Sequence, residues 1–218
     1  MTFDEIKNNE EICALIERGN QNLKVLGFTD HSKAHCSLVA NRAADILAQL
    51  DYDEHTQELA KIAGFMHDIG NSVNRTRHAE YGGLLAYDIL KNTDMSLEDR
   101  ITIMTAIGNH DESTGGAKDV VSAALIIADK TDVRRKRVQE KDKANFDIHD
   151  RVNYAVTNND LVIDKEKNTI TLNLQLDETI CTMYEYFDIF LGRMMMSREA
   201  AKMLGMQFKL KANGSKVL

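Results

Sequence analysis

The sequence predicts a mainly α protein: a helical bundle with a small α+β appendage at its C-terminal end. Three observations carry that reading. Apolar residues recur at helical spacing through the first 158 residues. Proline is absent from all 218 residues, where average usage near ~5% would give roughly ten, so long uninterrupted helices are permitted. After Asn158-Asn159 the pattern changes to short β-rich runs split by polar turns. The chain therefore divides into a helical body, residues 1–158, and an appendage of hairpin, long helix and strand, residues 159–218.

Thr2 and Glu5 have capping-box spacing and open a first helix carrying Ile6, Ile12, Leu15, Ile16, Leu23 and Leu26, ended by Gly27. Thr29 or Asp30 caps a second helix through Leu50, with Leu38, Val39, Ala43, Ile46 and Leu47 on its inner face. A third runs from about Asp53 to Ile69, where Gly70-Asn71 is a stop signal. After a polar loop, Asn71 to Arg77, a fourth spans His78 to Lys91 and a fifth runs from Ser96 to near Asn109. A glycine-containing loop, Asp111 to Lys118, precedes a sixth helix from Asp119 to about Val138, and Asp147 caps a shorter seventh. In the appendage, Leu161–Ile163 and Thr169–Leu174 flank the turn Asp164 to Asn168 as a β-hairpin. A long helix from Asp177 to Leu204 follows, then a strand at Gln207–Leu210, an Asn213-Gly214 turn and Val217-Leu218.

A hydrophobic fraction of 43% and a charged fraction of 28% are ordinary for a soluble globular protein. The formal net charge of -7 argues against general nucleic-acid binding or attachment to an anionic membrane, while leaving room for a local basic site. The first thirty residues are mixed polar and acidic, without a secretory pattern, and no apolar stretch approaches the ~20 residues that span a bilayer. Cys13, Cys36 and Cys181 are scattered, odd in number and without CxxC spacing. They read as reduced thiols of a cytoplasmic protein.

The chemistry is concentrated around His67-Asp68. They follow Leu59–Met66, a run apolar except for Lys61 and Gly64, so the Asp68 carboxylate faces burial. An unpaired carboxylate in a core costs several kcal/mol, on the order of the usual estimates, unless something compensates it. A metal ion does so, because imidazole and carboxylate are both good ligands. Asp129 poses the same problem after the apolar run Val120–Ala128. Six of the seven histidines, His31, His35, His55, His67, His78 and His110, lie near expected helix ends. Taken singly, a helix-terminal histidine is more often a cap than a ligand, and Asp129 could pair with Arg134. Together, two buried carboxylates and several histidines need one common explanation.

The order His35, His67-Asp68, Asp129 resembles the defining pattern of the HD superfamily of metal-dependent phosphohydrolases. His35-Cys36-Ser37-Leu38-Val39-Ala40 resembles its first-helix motif, Phe65-Met66-His67-Asp68-Ile69-Gly70 its central motif and Ala128-Asp129-Lys130 its last. Roughly residues 30 to 138 are covered; the appendage is not. The resemblance implies an HD-domain helical bundle with His35, His67, Asp68 and Asp129 as metal ligands. His78, within His78-Ala79-Glu80-Tyr81-Gly82, is similar to the histidine that follows the HD motif in the HD-GYP and diadenosine tetraphosphate hydrolase branches. His110 is similar to the next one, which implies a binuclear site bridged by Asp68. No Gly-Tyr-Pro follows His110, so cyclic-di-GMP hydrolysis is not implied. Asp111 stands where HD-GYP proteins tend to carry a paired histidine, and Asn71 where a lysine is common. His31 occupies the position of a metal-binding glutamate in some relatives. Asp111 and His31 are thus further candidate ligands.

The expected activity is hydrolysis of a nucleotide-like or other small phosphoester by a metal-activated hydroxide, a divalent ion lowering the pKa of water from 15.7 towards ~7. Catalysis would rest on Asp68, His67 and Lys130, with one or two ions of Fe, Mn, Ni, Co or Zn. Lys130, Arg75 and Arg135 are candidate phosphate contacts, arginine offering a planar fork. The Arg134–Arg137 run also fits a solvated helix end. The same six ligands fit a mixed-valent di-iron oxygenase of the inositol oxygenase type, and a sensor binding metal and nucleotide without turnover is a third reading. The expected partner is a small phosphorylated substrate. The Met194-Met195-Met196 run suits core or dimer packing, and a homo-oligomer stays open.

Overall fold

Asn8 and Asn9 split the expected first helix. In the computed structural model, which describes residues 1–217, α1 (Phe3–Lys7) keeps the Thr2–Glu5 capping box, and Asn9 caps a separate α2 (Glu10–Val25) through the Ile12 amide. The body continues with α3 (Lys33–Gln49), α4 (Glu54–Met66), α5 (His78–Leu90), α6 (Leu97–Gly108), α7 (Val120–Lys130) and α8 (Ile148–Ala155). Ser32, not Thr29 or Asp30, caps α3, while Asp53, Ser96, Asp119 and Asp147 cap their helices as expected.

Two helices end earlier than their apolar patterns suggest. The third expected helix stops at Met66 rather than Ile69. His67 and Asp68 lie in its exit, and a 3-10 turn, Ile69–Ser72, follows. Gly70 is what lets that turn lie against α5: a Cβ there would overlap the His78 carbonyl oxygen and meet the Gly82 nitrogen at 2.5 Å. The sixth expected helix stops at Lys130 rather than near Val138. Asn159, reaching in from the next strand, donates to the Thr131 and Val133 carbonyls at 2.7 and 3.0 Å, satisfying acceptors that a longer helix would have used.

α7 is the central helix. Residues 121–130 are all buried, against α3, α4, α6 and α9. Gly64 brings α4 and α3 together: a Cβ there would sit 2.7 Å from the Ala40 Cα. That approach sets the His35 and His67 rings 5.2 Å apart.

The appendage is a four-stranded sheet with one helix. β1 (Val156–Asp164) and β2 (Thr169–Leu176) form the expected hairpin, β1 beginning earlier than expected and bulged between Val156 and Asn158. α9 (Met183–Met203) is capped by a Thr182–Glu185 box; Asp177 instead organises the turn before it. β3 (Gln207–Ala212) pairs parallel to β2, so α9 is the crossover of a βαβ unit. Asn213 and Gly214, both at positive φ, turn the chain into β4 (Ser215–Lys216). Val217 donates its amide to the Leu210 carbonyl, and Leu218 lies outside the described residues. Ile170, Leu172, Leu210, Tyr186, Phe190 and Met194 extend the body's apolar cluster without a break. Among the described residues, no helix is long and apolar enough to cross a membrane.

Candidate metal centre

Five helix ends meet at one point. His35 lies in the first turn of α3 and His78 opens α5, whereas His67-Asp68 follows α4, His110 follows α6 and Asp129-Lys130 closes α7. Three of these are C-terminal ends, each carrying a partial negative charge of about half an electron, which favours a cation between them. The six expected ligands, His35, His67, Asp68, His78, His110 and Asp129, are all 9% exposed or less.

Each histidine is held by its Nδ1. His67 Nδ1 donates to the Gly64 carbonyl (2.8 Å), His110 Nδ1 to Ile107 (2.7 Å) and His78 Nδ1 to Arg75 (3.1 Å). His35 Nδ1 donates to the Asp132 carboxylate at 2.7 Å. With the proton on Nδ1, every Nε2 presents a lone pair to the centre. His35 Nε2 lies 3.4 Å from Asp129 Oδ1 and 3.7 Å from Asp68 Oδ2, and His67 Nε2 lies 3.1 Å from Asp68 Oδ2. His35 Nε2, His67 Nε2 and Asp68 Oδ2 are buried without a hydrogen-bond partner. Atoms of His35, His67 and Asp129 lie mutually within 4.8 Å, as do those of His67, Asp68 and His110. His78 Nε2 faces His110 Nε2 at 3.2 Å and Asp68 Oδ1 at 3.8 Å. Lone pairs and carboxylate oxygens this close need a cation among them, so the donor set fits a divalent transition ion.

Electrostatics keeps His110 and Asp68 in ligand form. Burial drives His110 down to about 3, helped by His78 and His67. Burial opposes the Asp68 charge, but His67, His31 and His78 outweigh it and hold that carboxyl well below the usual range. Asn71 donates to Asp68 Oδ1 at 2.7 Å, fixing the carboxylate.

The two further candidates sit outside this constellation. Asp111 Oδ2 is 3.7 Å from His78 Nδ1, behind the ring, and its other oxygen accepts from the Ser113 amide at 2.9 Å. His31 donates from Nδ1 to the Thr29 carbonyl at 2.6 Å, and its ring stacks edge-on 5.5 Å from His35.

Among the cations, Lys130 is buried between Asp129 Oδ2 (2.9 Å) and Glu112 Oε2 (2.7 Å). Burial disfavours its charge, yet the two carboxylates outweigh that and raise its pKa, keeping it an ammonium. Arg75 Nη1 reaches to 3.3 Å from His78 Nε2. Arg135 belongs elsewhere: it is exposed, donates to the Tyr154 carbonyl and stacks 4.3 Å over the Tyr154 ring, because the early end of α7 turns it away from the centre. Arg134 pairs with Asp132, not Asp129.

Two residues escape a reading of the sequence alone. Asp132 orients His35 and is held below the carboxylate range, burial being outweighed by His35, Arg137 and Arg134; its only signal is its place three residues after Asp129. Arg193 on α9 lies 3.5 Å from Glu112 Oε1, and nothing in the α9 pattern marks it. Arg193, Glu112, Arg75 and His31 line a cavity of about 240 Å³ floored by Phe28 and Phe190.

The HD domain family model matches residues 33–152, which carry every expected ligand. The uncharacterized protein MJ1020 of Methanocaldococcus jannaschii is 27% identical over 172 residues, 68% of this chain and 66% of its own length. The chain thus spans just under two thirds of that relative. A predicted HD superfamily hydrolase from an uncultured Thermotogales bacterium, known as a crystal structure, is 22% identical, covering 57% of this chain and 67% of that one with a TM-score of 0.45.

Proposed function

The chain belongs to the HD domain family, and from that premise we propose that it is a metal-dependent phosphohydrolase of a small, nucleotide-like phosphoester. One observation carries the reading: His35 Nε2, His67 Nε2 and Asp68 Oδ2 are buried, face one another and lack partners. His35, His67, Asp68 and Asp129 would hold a first divalent ion, and Asp68, His78 and His110 a second. Such ions supply a water of lowered pKa and a Lewis acid for a phosphate oxygen.

The chain's own residues do the rest. Asp132, Gly64, Ile107 and Arg75 keep each Nδ1 protonated, so that no imidazole turns its N–H inward. Lys130 stays charged beside Asp129 and offers a fixed cation to a phosphate oxygen. Arg75 stands on the His78 side of the cavity as a second anion contact. A buried ammonium within reach of the ligands suits an anionic substrate, which favours phosphoester hydrolysis over the oxygenase chemistry the same ligands permit. Three free thiols, two of them buried, support a reducing, cytoplasmic setting.

The test is a phosphoester panel run on iron-free protein loaded with Mn or Co. Phosphate or nucleoside release is expected, falling at least about 100-fold in His67→Ala, beyond the loss typical of changes behind a ligand. No release across the panel, or an unchanged rate in that variant, would end the proposal. Activity only with iron and oxygen would turn it to the oxygenase.

A further inference from the structure

We propose that Arg193 and Lys130 form a binding subsite for the substrate's phosphoryl group, and that the Glu112 carboxylate occupies it until substrate enters. The inference rests on the phosphohydrolase reading and adds to it a residue outside the matched family region.

Glu112 behaves as an internal anion. Its Oε2 accepts from Lys130 Nζ at 2.7 Å, and its Oε1 lies 3.5 Å from Arg193 Nε. Lys130 also touches Asp129, so whatever sits on its ammonium lies beside the candidate metal centre. Glu112 stands in the loop between α6 and α7, where Gly115 and Gly116 amides bond back to Asp111 and Asn109. Those bonds hold the loop backbone and leave the Glu112 side chain free to rotate off its two cations.

Arg193 is set in advance. Its guanidinium lies 4.6 Å over the Phe190 ring, itself buried. Both Arg193 and Glu112 open onto the cavity of about 240 Å³ that Arg75 and His31 also line. A carboxylate brings one negative charge and two oxygens to this place. A phosphoryl group brings ≈ −1.5 to −2 and three acceptor oxygens, which match a guanidinium fork and an ammonium together. Entry of the phosphoryl group therefore exchanges a weaker anion for a stronger one, and the appendage supplies the arginine that makes the exchange favourable.

Binding of inorganic phosphate to the metal-loaded chain, followed by calorimetry, tests this. Arg193→Gln is expected to weaken phosphate about tenfold, the scale of one charged hydrogen bond. Glu112→Gln is expected to tighten it several-fold, a gain that misfolding cannot imitate. Arg135→Ala, which faces Tyr154, should leave phosphate affinity as it was. Wild type that binds no phosphate, Arg193→Gln that binds as wild type does, or Glu112→Gln that binds more weakly would each overturn the subsite. If no phosphoester is turned over yet the pattern appears, the phosphohydrolase reading falls and the subsite stands. Hydrolysis with variants indistinguishable in phosphate affinity removes the subsite alone.

Discussion

The helical body and the C-terminal appendage bury their interiors in opposite ways. The body buries His35, His67, Asp68, His78, His110, Asp129, Lys130 and Asp132 around one point, and three of their polar atoms have no partner. From β2 onward the buried polar residues, among the described residues, are Thr169 and Ser197, and Ser197 donates to the Arg193 carbonyl. The rest of that interior is Ile170, Leu172, Tyr186, Phe190, Leu210 and similar side chains. One region holds costly groups in place for a ligand; the other is packed for its own sake. The contrast teaches where substitutions should act through a metal and where through packing alone.

The largest separation is expected at Asp68. If it bridges two ions, Asp68→Ala should strip both, while His78→Ala should keep about one per chain. Elemental analysis after gel filtration decides this, and equal metal content in the two variants would refute the bridge. Next comes Asp132→Asn, which removes the charged acceptor that fixes the His35 tautomer and should weaken metal binding about 10–100-fold. A competition titration with a chelating dye measures it; an unchanged affinity would mean that Asp132 serves the fold only. The smallest pair compares the regions directly through glycine. Gly64→Ala drives a methyl group into α3 and should destabilise by about 1–3 kcal/mol. Gly192→Ala, on an exposed face of α9 with nothing within 4 Å of its Cβ, should stabilise by about 0.5–1 kcal/mol. Urea midpoints at constant slope report both. A destabilised Gly192→Ala would show that this face of α9 meets a neighbour in solution and is not free.

Much of the centre was legible because its chemistry is local. His67-Asp68 after an apolar run, and Asp129 after another, announce buried carboxylates wherever the chain goes. His35, His78 and His110 follow from order and spacing once the resemblance is seen. The exact ends of α4 and α7 were not legible, because tertiary partners decide them: Gly70 against α5, and Asn159 against the carbonyls after Lys130. Arg135 drew attention through its nearness to Asp129 in sequence, but the chain turns between them. Arg193 is the converse, remote in sequence and adjacent in space, with no pattern to betray it. Asn9 shows the same limit on a small scale, a side-chain cap interrupting an otherwise continuous helical periodicity.

The parallel pairing of β3 with β2 has a consequence for the order of assembly. A parallel partner cannot be reached by a tight turn, so α9 must cross the sheet before β3 finds its register. Pairings between distant parts of a chain form late, because the intervening loop must first be closed. On the ribosome, every residue from His35 to Asp129 emerges well before β3, and earlier units generally fold first. The nascent chain can thus gather its histidines and carboxylates while Arg193 is still unplaced. The helix ends that carry these side chains can therefore meet first, and β3 then fixes α9 beside them.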